Sequence, residues 1–261
     1  MATKRAATVS AHRRKAADTN GPGPDPATFP AEAMLPPDVL CYGPDVPDER
    51  TFRLLGSLGS LEGRRVLELG CGSGHNAVTL ARQGAKVISI DPSWGRLDRV
   101  RDAAEQAEVK VELHQGDPAE VAFVRAETID AAISVYALAT VADLDRVFRQ
   151  VHRVLRREAP LIFSLPHPAF TMVDPGGPDP LALSGSYFDR SPRPWTTDDA
   201  SGNEYPRNVG ELLTSLLRAN FRIDTVLEPR PVEDAVRSKY WTPAMDRMPS
   251  TLIIRARKEG L

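Results

Sequence analysis

The residues with chemical potential stand in a short ordered series. Gly70, Gly72 and Gly74 alternate along the chain, and Asp91, Asp117, Tyr136 and His167 follow. A glycine carries no Cβ, so main chain at these positions can reach unusual dihedrals and press against a ligand. The pattern is G-x-G-x-G. His75 stands where the dinucleotide fingerprint needs its third glycine, which counts against a nicotinamide-dependent oxidoreductase. Asp91 closes the apolar run Val87-Ile-Ser-Ile90, seventeen positions past Gly74. A carboxylate at a strand tip can accept both hydroxyls of a ribose. Glycine turn and spaced acid together point to a ligand that contains a nucleoside and carries an anionic end, which a helix N-terminus would hold. His167 lies between two prolines at a later strand tip. It suits a general base or an acceptor-positioning group, or it closes the strand through backbone bonds. Tyr136 belongs either to the same end of the sheet or to the core.

These residues need elements to position them. Apolar runs and turn residues predict strands over 64–69, 86–90, 109–114, 128–135, 159–165, 221–227 and 251–257. Helical spacing predicts helices over 74–83, from Ser93 to 106 and over 141–155, and another that starts near Asn208. Pro47, Asp48 and Glu49 read as the first turn of a helix through Leu58. Strand and helix alternate through residue 165, which demands parallel pairing and right-handed crossovers. A parallel sheet binds ligands beyond the carboxyl ends of its strands, where the glycines and both acids fall. Residues 169–206 form a long proline-rich insert, of a length usual for functional or disordered segments. His114 reads as structural, His75 as solvated or capping, and His152 as solvated.

Glu68-Leu-Gly-Cys-Gly-Ser-Gly74, with Asp91, resembles the first motif and ribose-binding acid of the class I S-adenosylmethionine-dependent methyltransferases. The likeness runs from about residue 64 to 166 and more weakly to the end. It implies a Rossmann-like, seven-stranded, mostly parallel α/β sheet flanked by helices, with an antiparallel last strand over 251–257. It implies S-adenosyl-L-methionine as cofactor. Adenosine would lie from Asp91 and Pro92 to Asp117 and Pro118, with Asp117 on the adenine amino group or serving only as an Asx turn. The methionine end would cross Gly70, Cys71 and Gly72, its ammonium near Glu68 and Ser134. Tyr42 would be a lid residue over the cofactor or a tyrosine packed at the core edge. The methyl group would face the tips of strands four and five, near Tyr136 and His167, beneath the insert. The motifs say almost nothing of the acceptor.

Composition sets the outer bounds. The chain has 261 residues, a net charge of −2, 41% hydrophobic residues and 26% charged ones, which fits a globular domain without a nucleic-acid footprint. Residues 1–33 carry Lys4, Arg5, Arg13, Arg14 and Lys15 and read as a disordered basic tail or, second, a transit peptide, ahead of a methyltransferase domain over 34–261. Two cysteines give no disulfide framework, and a reducing cytoplasm is expected. Strand four ends in Ser134-Val-Tyr136 and lacks the Asn-Pro-Pro-Tyr of amino-group DNA methyltransferases. No Pro-Cys follows it, and no acid–histidine cluster suggests a metal. The reading is an enzyme that methylates O, N or C of a small molecule without membrane or nucleic-acid partners. A non-catalytic binding module is the alternative.

Overall fold

The computed structural model describes residue 35 and residues 38–196, 201–233, 236–238 and 240–260. The basic stretch 1–33 lies outside the described residues. Seven strands form one sheet: β1 (Arg65–Leu69), β2 (Lys86–Asp91), β3 (Val111–Gln115), β4 (Ala131–Val135), β5 (Pro160–Pro166), β8 (Phe221–Leu227) and β9 (Thr251–Lys258). Their spatial order is β3-β2-β1-β4-β5-β9-β8. The first five pair in parallel, and β9 runs antiparallel to both β5 and β8. The sheet expected from the sequence is therefore present, its one reversed strand inserted between β5 and β8.

Every residue of β4 is buried, as continuous apolar runs require in a sheet covered on both faces. One cover is α4 (Leu144–Val154), which turns Val147, Phe148, Val151 and Val154 inward, with α5 (Val209–Arg218) beside it. The other cover is α2 (His75–Arg82), α3 (Trp94–Gln106) and the segment around Leu40 and Tyr42. Ser93 caps α3 as expected, accepting from Arg96 N–H, and the structure adds a reciprocal capping box of Asn208 and Glu211 at the start of α5.

Two elements depart from the sequence reading. The helix expected through Leu58 is a single turn, α1 (Glu49–Phe52), followed by a 3₁₀ turn at Gly56–Leu58. The Glu49 carboxylate bends back to accept the Leu54 and Leu55 N–H groups, 2.9 and 2.7 Å away, and so diverts them from helix continuation. The insert is not wholly irregular: β6 (Arg193–Thr196) and β7 (Ser201–Glu204) pair as an antiparallel ribbon. Trp195 lies opposite Gly202, where a Cβ would come within 2.8 Å of the indole. Among the described residues no helix is long and apolar enough to cross a membrane.

Candidate functional site

The order β2-β1-β4 places the reversal of strand order beside β1, where a doubly wound sheet opens a crevice. Register brings Leu69 level with Ile90, so Gly70 and Asp91 emerge side by side. Gly70 N–H donates to the Ile90 carbonyl at 2.8 Å. Gly70 has φ of +79°, and a Cβ there would stand 2.0 Å from the Ala137 Cβ. Gly74 has φ of +83°, and its Cβ would come within 2.9 Å of the Val100 Cα. Only bare main chain fits between the segment after β4 and α3.

Asp91 is 1% exposed. Its Oδ2 accepts the Cys71 N–H at 3.1 Å and its Oδ1 the Ser93 N–H at 2.9 Å. Arg96 Nη1 stands 3.7 Å from Oδ1. Burial pushes the Asp91 carboxyl above the usual aspartate range, and the Arg96 guanidinium and the two N–H groups oppose that shift. Asp91, Gly70, Pro92, Asp117 and Pro118 line one hollow of about 260 Å³, with Arg96 and Tyr205 at its sides. One Asp117 oxygen accepts Ala119 N–H at 2.8 Å; among the described residues the other has no hydrogen bond. A main-chain cradle that a Cβ would fill, a buried carboxylate and a second half-free one fit a nucleoside.

The remaining expected cofactor residues frame the turn. Glu68 accepts from Ser89 Oγ at 2.5 Å and from the Ala77 N–H of α2, and burial pushes its carboxyl up to about 8. Ser134 Oγ donates to the Leu69 carbonyl at 2.6 Å and ties β4 to the end of β1. Cys71 is buried, and desolvation together with the nearby Asp91 raises its thiol pKa. Gly72 has φ of +52°. Tyr42 is buried and donates to Glu49 Oε2 at 2.5 Å, the same carboxylate that ends α1. Its segment is held over the start of α2: Asn76 exchanges two 3.0 Å bonds with the Cys41 backbone, and His75 Nε2 meets the Val39 carbonyl at 2.9 Å. His75 is thus a strap and not a solvated side chain.

At the tips of β4 and β5, Tyr136 and His167 are both buried, and neither lines the 260 Å³ hollow. Tyr136 has φ of +62° and shares a 2.6 Å bond with Thr251 Oγ1. His167 Nδ1 accepts Ala169 N–H at 3.1 Å, and Nε2 lies 2.8 Å from Glu228 Oε1. Three residues were not legible as site residues. Arg96 stacks at 5.6 Å over the Trp195 ring of the insert ribbon. Tyr205 follows β7, and its N–H donates to the Ala139 carbonyl at 2.8 Å. Arg207 Nη2 then reaches the Val141 and Ala142 carbonyls, so the insert is sutured to the segment that follows β4.

Known proteins resemble this chain in sequence and fold. Residues 66–158 match the methyltransferase domain family. The magnesium-protoporphyrin O-methyltransferase of Rhodobacter capsulatus is 31% identical over 176 residues, 66% of this chain and 74% of that one. The ubiquinone biosynthesis O-methyltransferase of Azorhizobium caulinodans is 32% identical over 108 residues, 41% of this chain; the chain spans only 42% of that relative's length. A Listeria monocytogenes structure, proposed to be an S-adenosylmethionine-dependent methyltransferase, superposes with a TM-score of 0.65 at 27% identity, over 80% of this chain and 96% of that one. An S-adenosylmethionine-dependent methyltransferase from Mesorhizobium loti shares the fold with a TM-score of 0.58 at 23% identity, covering 78% and 95%. With its glycine cradle, its strand-tip acids and these relatives, the chain belongs to the class I S-adenosylmethionine-dependent methyltransferases, whose cofactor is S-adenosylmethionine.

Proposed function

We propose that this protein transfers a methyl group from S-adenosyl-L-methionine to a small molecule, with an oxygen acceptor favoured over nitrogen or carbon by the two O-methyltransferase relatives. The observation that carries the reading is the Asp91 carboxylate buried beside the side-chain-free Gly70. In this reading Asp91 accepts the ribose hydroxyls and the half-free Asp117 accepts the adenine amino group, with Pro92 and Pro118 as walls. Main chain at Gly70, Cys71 and Gly72, supported by Glu68 and Ser134, receives the methionine end. The Tyr42 segment covers it.

When bound, the sulfonium cofactor supplies an electrophilic methyl group. The chain's contribution is to hold the acceptor in line with it and to exclude water. Such alignment removes about 7–11 kcal/mol of barrier. The tips of β4 and β5, with Tyr136 and His167, shape the acceptor end, and the 169–206 insert is its cover. One domain over 34–261 carries the activity, with the basic tail 1–33 as an appendage. The unpaired thiols of Cys41 and Cys71 support a cytoplasmic location, and the net charge of −2 favours a small-molecule acceptor over nucleic acid.

Titration calorimetry tests the reading. S-adenosylhomocysteine binds and NAD does not, and radiolabelled methyl appears in one member of a metabolite library. Absence of S-adenosylhomocysteine binding would sink the proposal.

A further inference from the structure

Methylation of a hydroxyl needs a destination for the hydroxyl proton. The two candidates at the acceptor end are poorly placed to take it. Both ring nitrogens of His167 are engaged, one by Ala169 N–H and the other by Glu228. The Tyr136 phenol is buried against Thr251, and desolvation with the nearby Asp45 and Glu204 carboxylates keeps it protonated.

Glu204 differs from both. It is the last residue of β7, half-buried in a hollow of about 20 Å³ at the β5 tip with Leu165, Pro166, Pro168 and Thr171. The next residue, Tyr205, lines this hollow and the nucleoside hollow alike. The bond from Tyr205 N–H to the Ala139 carbonyl fixes Glu204 against the β4 end of the sheet. Its cross-strand neighbour is Arg193, yet that guanidinium donates to the Thr171 carbonyl at 3.2 Å. Among the described residues no hydrogen bond or close ion pair holds the Glu204 carboxylate. Half-buried and reaching solvent through this hollow, the carboxylate is open to take a proton from a group that docks there.

We propose that Glu204 is the general base of the transfer and, because a carboxylate is too weak a base for an aliphatic alcohol, that the acceptor is an acidic hydroxyl of the phenol or enol class. This rests on the methyl-transfer reading above. Glu204 takes the O–H proton while the acceptor oxygen forms its bond to the methyl carbon. The S–CH3 electron pair remains on sulfur. The products are a methyl ether, S-adenosylhomocysteine and a protonated Glu204, which releases its proton to water. Burial raises the Glu204 carboxyl above the ordinary glutamate range and Arg193 opposes that, so it is a better base than an exposed glutamate. The other groups around it are Tyr136 from the β4 tip and Tyr205 and Arg207 along the hollow.

The test uses the full chain with two probes, catechol and 4-nitrocatechol, the second ionised near neutral pH. Wild type methylates both. Glu204→Gln loses about 10²- to 10⁴-fold on catechol. It stays within a few-fold of wild type on 4-nitrocatechol, whose proton is already gone. The acid limb of kcat/KM disappears in Glu204→Gln and persists in Glu204→Asp. Affinity for S-adenosylhomocysteine is unchanged in both variants, and the thermal midpoint does not fall in Glu204→Gln. Independently of turnover, infrared difference spectra of the S-adenosylhomocysteine complex, wild type minus Glu204→Gln, show a carboxyl band that titrates above the ordinary glutamate range. The proposal is overturned by equal losses on the two probes, by no loss, by a carboxyl that titrates at the ordinary value, or by a wild type that binds S-adenosylhomocysteine but methylates neither probe. Failure to bind S-adenosylhomocysteine would instead remove the methyl-transfer reading itself.

Discussion

Replacing Gly70 by alanine probes the cradle directly. The new Cβ would stand 2.0 Å from the Ala137 Cβ, where carbon atoms rest about 3.5–4.0 Å apart. Ala137 cannot retreat freely. It opens the 3₁₀ turn Ala137–Thr140, which is held by Ala139 N–H to the Tyr136 carbonyl at 3.0 Å and by Thr140 Oγ1 to the Ala137 carbonyl at 2.8 Å. Overpacking of this kind costs about 1–3 kcal/mol. The positive φ adds about 1–2 kcal/mol for any L side chain. Together they give about 2–5 kcal/mol, or a fall in Tm of roughly 4–20 °C for a domain of this size. Gly63→Ala is the control, because φ is +70° there and nothing lies within 4 Å of the added Cβ, so only the dihedral part applies. Urea unfolding and scanning calorimetry measure both variants. Gly70→Ala also weakens S-adenosylhomocysteine binding, because the strain shifts the Cys71 N–H away from Asp91. A Gly70→Ala protein no less stable than Gly63→Ala, with unchanged S-adenosylhomocysteine affinity, would refute the close approach.

Asp91→Ala weakens S-adenosylhomocysteine binding by about 1–3 kcal/mol in calorimetry, as expected for lost charge-assisted hydrogen bonds. In wild type the same affinity falls on acidification from above the ordinary aspartate range, since burial raises this carboxyl; affinity flat down to the ordinary value would contradict that. Glu68 titrates at about 8 in the fold against an ordinary 4.5. A raised folded-state value means its stabilising contribution is complete below 4.5 and lost as pH climbs to about 8, by up to about 1.4 kcal/mol per pH unit. Glu68→Gln removes that part of the slope in urea unfolding measured from pH 5 to 8; an identical slope would show that Glu68 does not titrate there. Asn208→Ala removes one half of the capping box and costs about 0.5–2 kcal/mol, with S-adenosylhomocysteine affinity unchanged.

What the sequence discloses and what it conceals divides along the range of the forces involved. The glycine turn and Asp91 follow from local backbone chemistry and strand length, and the parallel register that aligns Leu69 with Ile90 needs no further information. Helix α4 declares itself through the spacing of Val147, Phe148, Val151 and Val154. The contact of Arg96 with Trp195 joins residues ninety-nine positions apart, and no period encodes it. The ribbon β6–β7 is hidden for a different reason. Pro194 and Gly202 are loop signals, yet Pro194 sits in a two-stranded ribbon that is all edge, and Gly202 is small because the Trp195 indole lies against it. His167 is the converse case. Two flanking prolines make it conspicuous, but whether its ring nitrogens are free depends on Ala169 N–H and on Glu228, sixty-one positions away. Glu204 carries no sequence mark at all. Its candidacy arises only when a ribbon docks beside the β4 and β5 tips and its cross-strand arginine bonds elsewhere, so the acceptor side of this fold is written in tertiary contacts and the nucleoside side in local ones.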